Sequence, residues 1–375
     1  MPNFDPGTFG YEIWWTDDKG MRLALVDRVF DAEFLRVCND VGRFSMRVPT
    51  DLFNMRTLKR DQMIQVWRKP RGGSLSLFRA YFIRNWTFRR QGASLVCTIS
   101  GPDSMDLLRR RLIVNYAGTA EATKTDYPDD MMKEIVDEQM VNDASDPAAA
   151  AGSRDYANLS VQAEASAVTS ITRSFPWQNV FSVIQDLADA SRAAGEETFF
   201  DVAPIVSSNS ISFQFQTKTG QPGADLTDRV VFDEARGNLI DSILTYESDD
   251  EVNYVYAGGL GQEDNRNIQQ AYDAARYNVS IWNRREGWAY AVLERTDAGV
   301  LDVADGKLKE GEPRLTFSAL PLDVEGTRFG VHWNFGDKVT ARFLGIDYET
   351  IVRKVLLRLT DDGKETIESR MEYVE

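Results

Sequence analysis

The chain has one histidine, His332, in 375 residues. That single imidazole rules out His-rich metal clusters and leaves little for Ser-His or Cys-His nucleophilic sites. Two cysteines, Cys38 and Cys97, do not make a disulfide framework; both lie in strand-like contexts and are expected to be buried thiols. No apolar run approaches the roughly 18 residues of a membrane span, and "MPNFDPGTFG" lacks the basic and apolar regions of a cleaved signal. The expectation is therefore a chain with no membrane span and no cleaved export signal. Walker-type phosphate loops are missing as well, since "AGGLGQ" (Ala257 to Gln262) has neither the Lys-Ser/Thr ending nor the GxGxxG spacing.

Positive charge is scarce too: 43 Lys and Arg face 58 Asp and Glu, a formal charge of -15. Nucleic-acid affinity rests on cations that neutralise phosphates, so sequence-specific DNA binding is not expected, and an acidic channel would repel DNA passing through it. The Arg run "LLRRRL" (Leu107 to Leu112) reads as a solvated face or a subunit contact. Acidic clusters at Asp129-Asp130, Asp249-Asp250-Glu251 and Asp361-Asp362 lack the EF-hand ligand order and read as solvated turns, as does Asp302 to Glu312. No cofactor is implied.

What is present is aromatic and strand-forming: 20 Phe, 13 Tyr and 8 Trp, with 43% hydrophobic residues. From Met21 to Ile99 the pattern has period two. Phe44, Met46 and Val48 share one face, as do Leu95, Cys97 and Ile99, and glycines punctuate the turns. This reads as an antiparallel sheet or barrel, followed by a short helix over Pro102 to Leu112. A helix after Pro128 places Met131, Met132, Ile135, Val136 and Met140 on one stripe. A second, starting at Pro176 and ending at Gly195, turns Val180, Val183, Ile184, Leu187 and Ala188 inward. Strands over Thr198 to Val202 and Ser210 to Lys218 complete a small α+β unit, and the Ala-rich 143–166 reads as a mobile loop.

Strand patterns resume at "RVVF" and "NLIDSILTYES". Glu263 to Asn278 reads as polar and helical, and the last hundred residues as turns and strands. Val355, Leu357 and Leu359, the Asp362-Gly363 turn, then Ile367 and Met371 form a local hairpin signal. Trp14-Trp15 and the Trp282/Trp288 pair suit core or interface packing, with a sugar platform as the alternative.

The two ends echo each other. "KRDQMIQVW" and "FGDKVTARF" both place an aspartate, Asp61 or Asp337, before an amphipathic strand, and each is followed by a turn glycine, after 31 residues at Gly92 and 26 at Gly363. The order strand, turn, strand, turn, strand recurs, so two similar barrels are expected with Asp61 aligned on Asp337. Aspartate beside glycine in such a turn caps its own backbone.

In order, "VCNDVGRFSMRVP", "LKRDQMIQVWRK", "FIRNWTF" and "CTISGPDSMDLLRRR", then "ARGNLIDSILTYESDDEVNYVYAGGLGQ", "YNVSIWNRREGW" and "HWNFGDKVTARF", resemble the baseplate-hub and tail-tip structural proteins of long-tailed bacteriophages. The most specific pieces are Gly237, Asn238 and Leu239 before paired strands, and Gly336-Asp337 at a strand entry.

The resemblance implies an α+β, mainly β fold: a first tube-like antiparallel β-barrel (1–112), an inserted α+β domain (113–225), and a second barrel (226–375) with an insertion near 262–312. It implies a homotrimer in which two barrels per chain make a pseudo-six-fold ring, set between a distal-tail or tail-tube protein and a three-fold fibre or spike. DNA and the tape-measure protein would pass through the centre. The place implied is the virion tail tip or baseplate, after synthesis in host cytoplasm. The structural turn candidates are Asp61, Gly237, Asn238, Gly336, Asp337, Asp362 and Gly363; no catalytic or metal residue stands out. Two other readings remain: a tail-tip cell-wall or polysaccharide hydrolase using two carboxylates, and a glycan-binding adhesin.

Overall fold

The computed structural model describes residues 10–373 except 51–55, 92–93, 115–121, 143–153, 168, 194–195, 262–264, 293, 323 and 361. The first part of the chain supplies β1 (Gly10–Thr16), β2 (Arg22–Leu25), β3 (Asp31–Val37), β4 (Arg43–Pro49), β5 (Met63–Lys69), β6 (Ser76–Phe82), β7 (Asn85–Gln91) and β8 (Ser94–Pro102). Then come α1 (Asp106–Arg109), β9 (Ala122–Asp126), α2 (Pro128–Met140), β10 (Leu159–Val161), β11 (Ile171–Phe175), α3 (Val180–Ala193), β12 (Thr198–Ser207) and β13 (Ser210–Thr219). The remainder forms β14 (Val231–Asp233), β15 (Leu239–Glu247), β16 (Tyr254–Gly258), β17 (Ile268–Tyr272), α4 (Ala274–Tyr277), β18 (Glu286–Tyr290), α5 (Asp297–Glu310), β19 (Arg314–Pro321), β20 (Lys338–Phe343), β21 (Ile346–Leu359) and β22 (Glu365–Tyr373). The fold is α+β and mainly β.

One long sheet joins the two ends of the chain, in the order β15-β19-β22-β21-β3-β4-β8-β7, with β20 and β14 branching from β21. Period-two strands bury one face: Phe34, Phe44, Met46, Cys97 and Ile99 from the first half meet Phe232, Phe317, Trp333, Val355, Leu357 and Met371 from the last in one core. A smaller sheet, β2-β1-β5-β6, closes over the same core through Ile13, Ile64 and Val66. The expected hairpin is present, with Leu357 opposite Ile367.

The helical stripes read from the sequence are buried together. Met131, Met132, Ile135, Val136 and Met140 of α2 pack with Val180, Val183, Ile184, Leu187 and Ala188 of α3, and with Phe213 and Phe215 of β13. Pro176 does not open α3, which begins at Val180. There Asn179 accepts a bond from the Phe181 amide (3.0 Å), a side-chain cap that proline cannot supply. The helix over Pro102 to Leu112 shrinks to the single turn α1. Gly195, residues 143–153 and Gly92 lie outside the described residues, while 159–161 of the expected mobile loop pair in parallel with β13.

Two sequence expectations change in the third part, one in part and one largely. The polar stretch near 263–278, read as helical, divides: Ile268–Tyr272 form β17, where Ile268, Gln270 and Tyr272 alternate against β16, and only Ala274–Tyr277 form a helical turn, α4. Asp302 to Glu312, read as turn, lies largely in α5, whose Val300 and Ala304 bury against Val255, Ala257, Ala271 and Ala289. Thr296 caps that helix by accepting from the Gly299 amide (3.1 Å). Tertiary burial here overrides the cost of Gly299 and Gly306 inside a helix. Among the described residues no helix is long and apolar enough to cross a membrane.

Candidate assembly site

The Gly336-Asp337 entry is a built corner. Gly336 has φ +88, and its amide donates to Val352 O (2.9 Å) while the Val352 amide donates to Asp337 O (2.9 Å). The Asp337 carboxylate is buried and accepts from the amides of Asn334 (2.7 Å) and Ala224 (2.8 Å). A side chain at Gly336 would be strained by its φ and would approach Pro222 at 3.3 Å. Gly336→Val is therefore expected to cost about 1 kcal/mol or more. Its melting temperature should fall; an unchanged one would contradict this role for the corner.

The same corner exists in the first half, shifted by one residue from the expected alignment. Asp61, at φ +65, donates its amide to Ile83 O (3.3 Å), and the Ile83 amide donates to Gln62 O (2.7 Å). Gln62 is buried, and its Oε1 accepts from the amide three residues before it, Lys59 (2.9 Å), as Asp337 does from Asn334. So Asp61 corresponds to Gly336, and Gln62 to Asp337. Alignment on the shared letter D misplaced the register, because what repeats is a positive-φ residue followed by a buried acceptor. Asp61 uses its carboxylate on Arg84 and Arg110 (2.7 Å each). Burial alone would raise its pKa, but the two guanidiniums outweigh this and lower it.

The other turn candidates act locally. Gly237 (φ +67) ends a 3-10 turn, and buried Asn238 bridges the turn by accepting from the Asp233 amide (2.8 Å) and donating to Val231 O (2.8 Å). Gly363 (φ +75) and Asp362 close the last hairpin, where Asp362 accepts from Thr360 Oγ1 (2.5 Å). His332 is structural: its Nδ1 accepts from the Arg328 amide (2.9 Å). Both cysteines are free; burial pushes Cys38 up to about 12 and Cys97 up to about 11.

Three polar features escaped the sequence reading. Asp129 and Asp130 are not solvated; both are buried in the first turn of α2, bind Lys133 Nζ (3.0 Å each), and accept from the amides of Ala165, Ser166 and Ala167. Arg79 joins Asp103 (2.9 Å) to Asp201 of β12 (2.7 Å), and Arg68 joins β5 to Glu365 of β22 (2.6 Å). The partners of Arg79 and Arg68 lie 24 to 297 positions away in sequence, so no local spacing marks them, whereas Lys133 stands three and four residues from its two acids on one helix.

A cavity of about 530 Å³ between α3, α5 and β18 is lined by Asp186, Asp189, Glu310 and Trp288. Desolvation there pushes Asp186 up to about 6, Asp189 and Glu310 add to the rise, and Arg173 opposes it. A raised carboxyl holds its proton in the folded state where the unfolded chain has lost it. Stability is then expected to rise as pH falls from about 6 to about 4, the ordinary carboxylate value. Asp186→Asn should flatten that rise in urea titrations at the two pH values; an unchanged slope would contradict the assignment. Trp288 lies across Gly258, where a Cβ would come within 2.5 Å of the indole, and Trp282 is exposed on a neighbouring loop. Among the described residues no group of three or more His, Cys, Asp or Glu is placed to hold a metal ion.

The corner repeat fits a wider one. β21 is a single strand whose first half pairs with β20 and second half with β22; β6 and β7, separated by two residues, pair with β5 and β8 in the same way. The long sheet is two four-stranded runs in tandem, β15-β19-β22-β21 and β3-β4-β8-β7, joined by antiparallel pairing of β21 with β3. In both runs the third strand in chain order stands last.

This architecture is that of phage tail proteins. It is shared with a tail protein from Neisseria meningitidis MC58 (TM-score 0.57, 15% identity, 97% of this chain and 96% of that one). The 43 kDa tail protein of prophage MuSo2 from Shewanella oneidensis also shares it (0.58, 12%, 97% and 98%), as does prophage tail protein gp18 from Listeria monocytogenes EGD-e (0.52, 12%, 96% and 94%). The chain belongs to the Siphovirus ReqiPepy6 Gp37-like protein family, whose model matches residues 11–371, and is thus a tail-associated structural protein of long-tailed phages. No curated protein matches it significantly.

Proposed function

We propose that the chain is the hub of a tail tip: a homotrimer whose six quasi-equivalent four-stranded runs form a ring between a distal-tail or tail-tube protein and a three-fold fibre or spike, around a channel for DNA and the tape-measure protein. The observation that carries this is the tandem join. β21, last in one run, pairs with β3, first in the next. Repeating that step, β7, last in its run, would pair with β15, first in the next copy's run. Among the described residues β7 and β15 each pair on one side only. Three copies of two runs would close a six-fold tube, which matches a hexameric tail on one side and a trimeric tip on the other.

β15 fits a covered edge. Ile240, Ile243 and Tyr246 are exposed there (42%, 60% and 66%), and an open apolar edge is a liability in a chain that stays alone. We read residues 1–112, 113–225 and 226–375 as the first barrel, the insert and the second barrel of such a hub, and assign the chain no catalytic step. Light scattering on the purified chain, with class averages by electron microscopy, tests the proposal. A trimer showing a six-lobed ring is expected, and Ile243→Lys/Tyr246→Lys should return it to a folded monomer. A wild-type chain that stays monomeric at high concentration, alone and with its tail partners, would overturn it.

A further inference from the structure

We propose that the face of the long sheet turned away from the core is a cationic track for the phosphate backbone of duplex DNA. The inference rests on the hub reading, in which that face lines the channel. Alternation sends Phe34, Phe44, Met46 and Ile99 into the core and the intervening side chains to the other face. On β3, β4, β7, β8, the second half of β21 and β22 as far as Arg370, the described charged side chains of that face are the cations Arg43, Arg47, Arg89, Lys354, Arg358 and Arg370 and the acids Asp31, Glu33 and Glu368; the first half of β21 adds Asp347 and Glu349, each paired with a cation of β20, Arg342 and Lys338. Over that central part of the face, among the described residues, cations outnumber acids two to one in a chain with net charge -15. Net charge alone does not set the sign of this face, which depends on where the charges fall.

The acids on this face are already used. Asp31 pairs with Arg47 (3.2 Å), and Glu33 (2.9 Å) and Glu368 both pair with Arg358. Arg43, Arg89, Lys354 and Arg370 have no ion-pair partner within 4.0 Å among the described residues. Lys354 stands directly opposite Arg370 in the β21·β22 register, and like charges so placed destabilise a sheet. On the other side of Lys354, β3 offers Val37, and Leu35 of β3 stands opposite Arg43 of β4, so no acid interrupts the row.

Neighbouring strands lie about 4.8 Å apart, so Arg370, Lys354 and Arg43 span roughly 15 Å across the sheet. At one end these three line a cavity of about 730 Å³ that is also lined by the acids Asp40, Asp186, Asp189 and Glu310. A row of fixed cations without bases to read suits phosphate oxygens and carries no sequence preference. In the hub it would hold DNA weakly, and ionic strength would set how weakly.

The test is fluorescence anisotropy of a labelled 30-base-pair duplex with the full chain, its oligomeric state measured in the same buffer. Neutralising about four phosphates predicts an association constant that falls about 10²-fold between 50 and 200 mM salt. Arg43→Glu/Lys354→Glu/Arg370→Glu should weaken binding at least about tenfold at 50 mM and flatten the salt dependence. The milder Arg43→Gln/Lys354→Gln/Arg370→Gln should do the same to a smaller degree, and melting curves report whether either set is folded. Lys19→Glu/Lys364→Glu, on exposed turns, should bind as wild type does.

No binding at 50 mM salt, or a folded triple variant that binds as wild type does, overturns the proposal. Capture of polyglutamate but not DNA overturns it too, and assigns the face to an acidic protein. A trimer that ignores DNA would remove this inference and leave the hub; a monomer that binds DNA through these residues would remove the ring and leave the phosphate site.

Discussion

Arg79→Ala is expected to lower unfolding stability by about 3–5 kcal/mol, the scale for removing one partner of a buried ion pair. Arg79 is 1% exposed and Asp103 0%. Its guanidinium makes three charge-assisted bonds, Nε to Asp103 (2.9 Å) and a bidentate pair to Asp201 (2.7 and 2.9 Å), and Arg36 also reaches Asp201 (3.1 Å). Truncation leaves Asp103 buried without its cation and unhooks β12 of the insert from β6 of the first sheet. Arg79→Lys should recover little of the loss, because an ammonium cannot serve the bidentate fork.

The two acids respond to pH in opposite senses. Burial raises Asp103 despite Arg79, whereas at Asp201 the nearby Arg79 and Arg36 outweigh burial and hold the carboxyl below its usual range. A depressed carboxyl contributes stability above its unfolded value, about 3.9, and loses it as pH falls through the folded value. Arg79→Ala should therefore remove part of the acid sensitivity below about pH 4. Urea titrations at pH 7 and pH 3 measure both effects, and a loss under about 1 kcal/mol at pH 7 would show that the insert is held by packing alone.

The second large effect is expected at Glu365. Arg68 and Glu365 are 3% and 4% exposed, with bonds of 2.6 and 2.8 Å between them, and Arg68 Nη1 donates to Phe329 O (2.8 Å) while Tyr11 donates to Glu365. This cluster clamps the small sheet of the N-terminal half onto the last hairpin. Glu365→Ala, which strands a buried guanidinium, should cost about 3–5 kcal/mol, and Arg68→Met/Glu365→Leu should recover most of it. A double variant no better than the single one would mean that the hydrogen bonds to Phe329 and Tyr11 hold the joint.

Local pattern carried much of the fold. The period-two strands, the apolar stripes of α2 and α3, and the 355–371 hairpin are legible because each burial pattern repeats within ten or so residues. The lone histidine and the missing phosphate loop likewise narrow the chemistry before any coordinates.

Tertiary structure decided the rest, and for one physical reason: the deciding partners are far apart in the chain. Only the fold shows that β21 pairs with β3, which makes two runs into one sheet and, among the described residues, leaves β7 and β15 as its edges. Only hydrogen bonds show that Asp61-Gln62, not Asp61 alone, repeats Gly336-Asp337. Burial against β16 turns a Gly-containing acidic stretch into α5, and the amides of Ala165, Ser166 and Ala167, 35 to 38 positions on, bind an apparently solvated acidic pair that is in fact buried. Net charge is a sum over the whole chain. The sign of one sheet face depends on which side each strand turns its Arg, Lys, Asp and Glu, and pairing register alone fixes that.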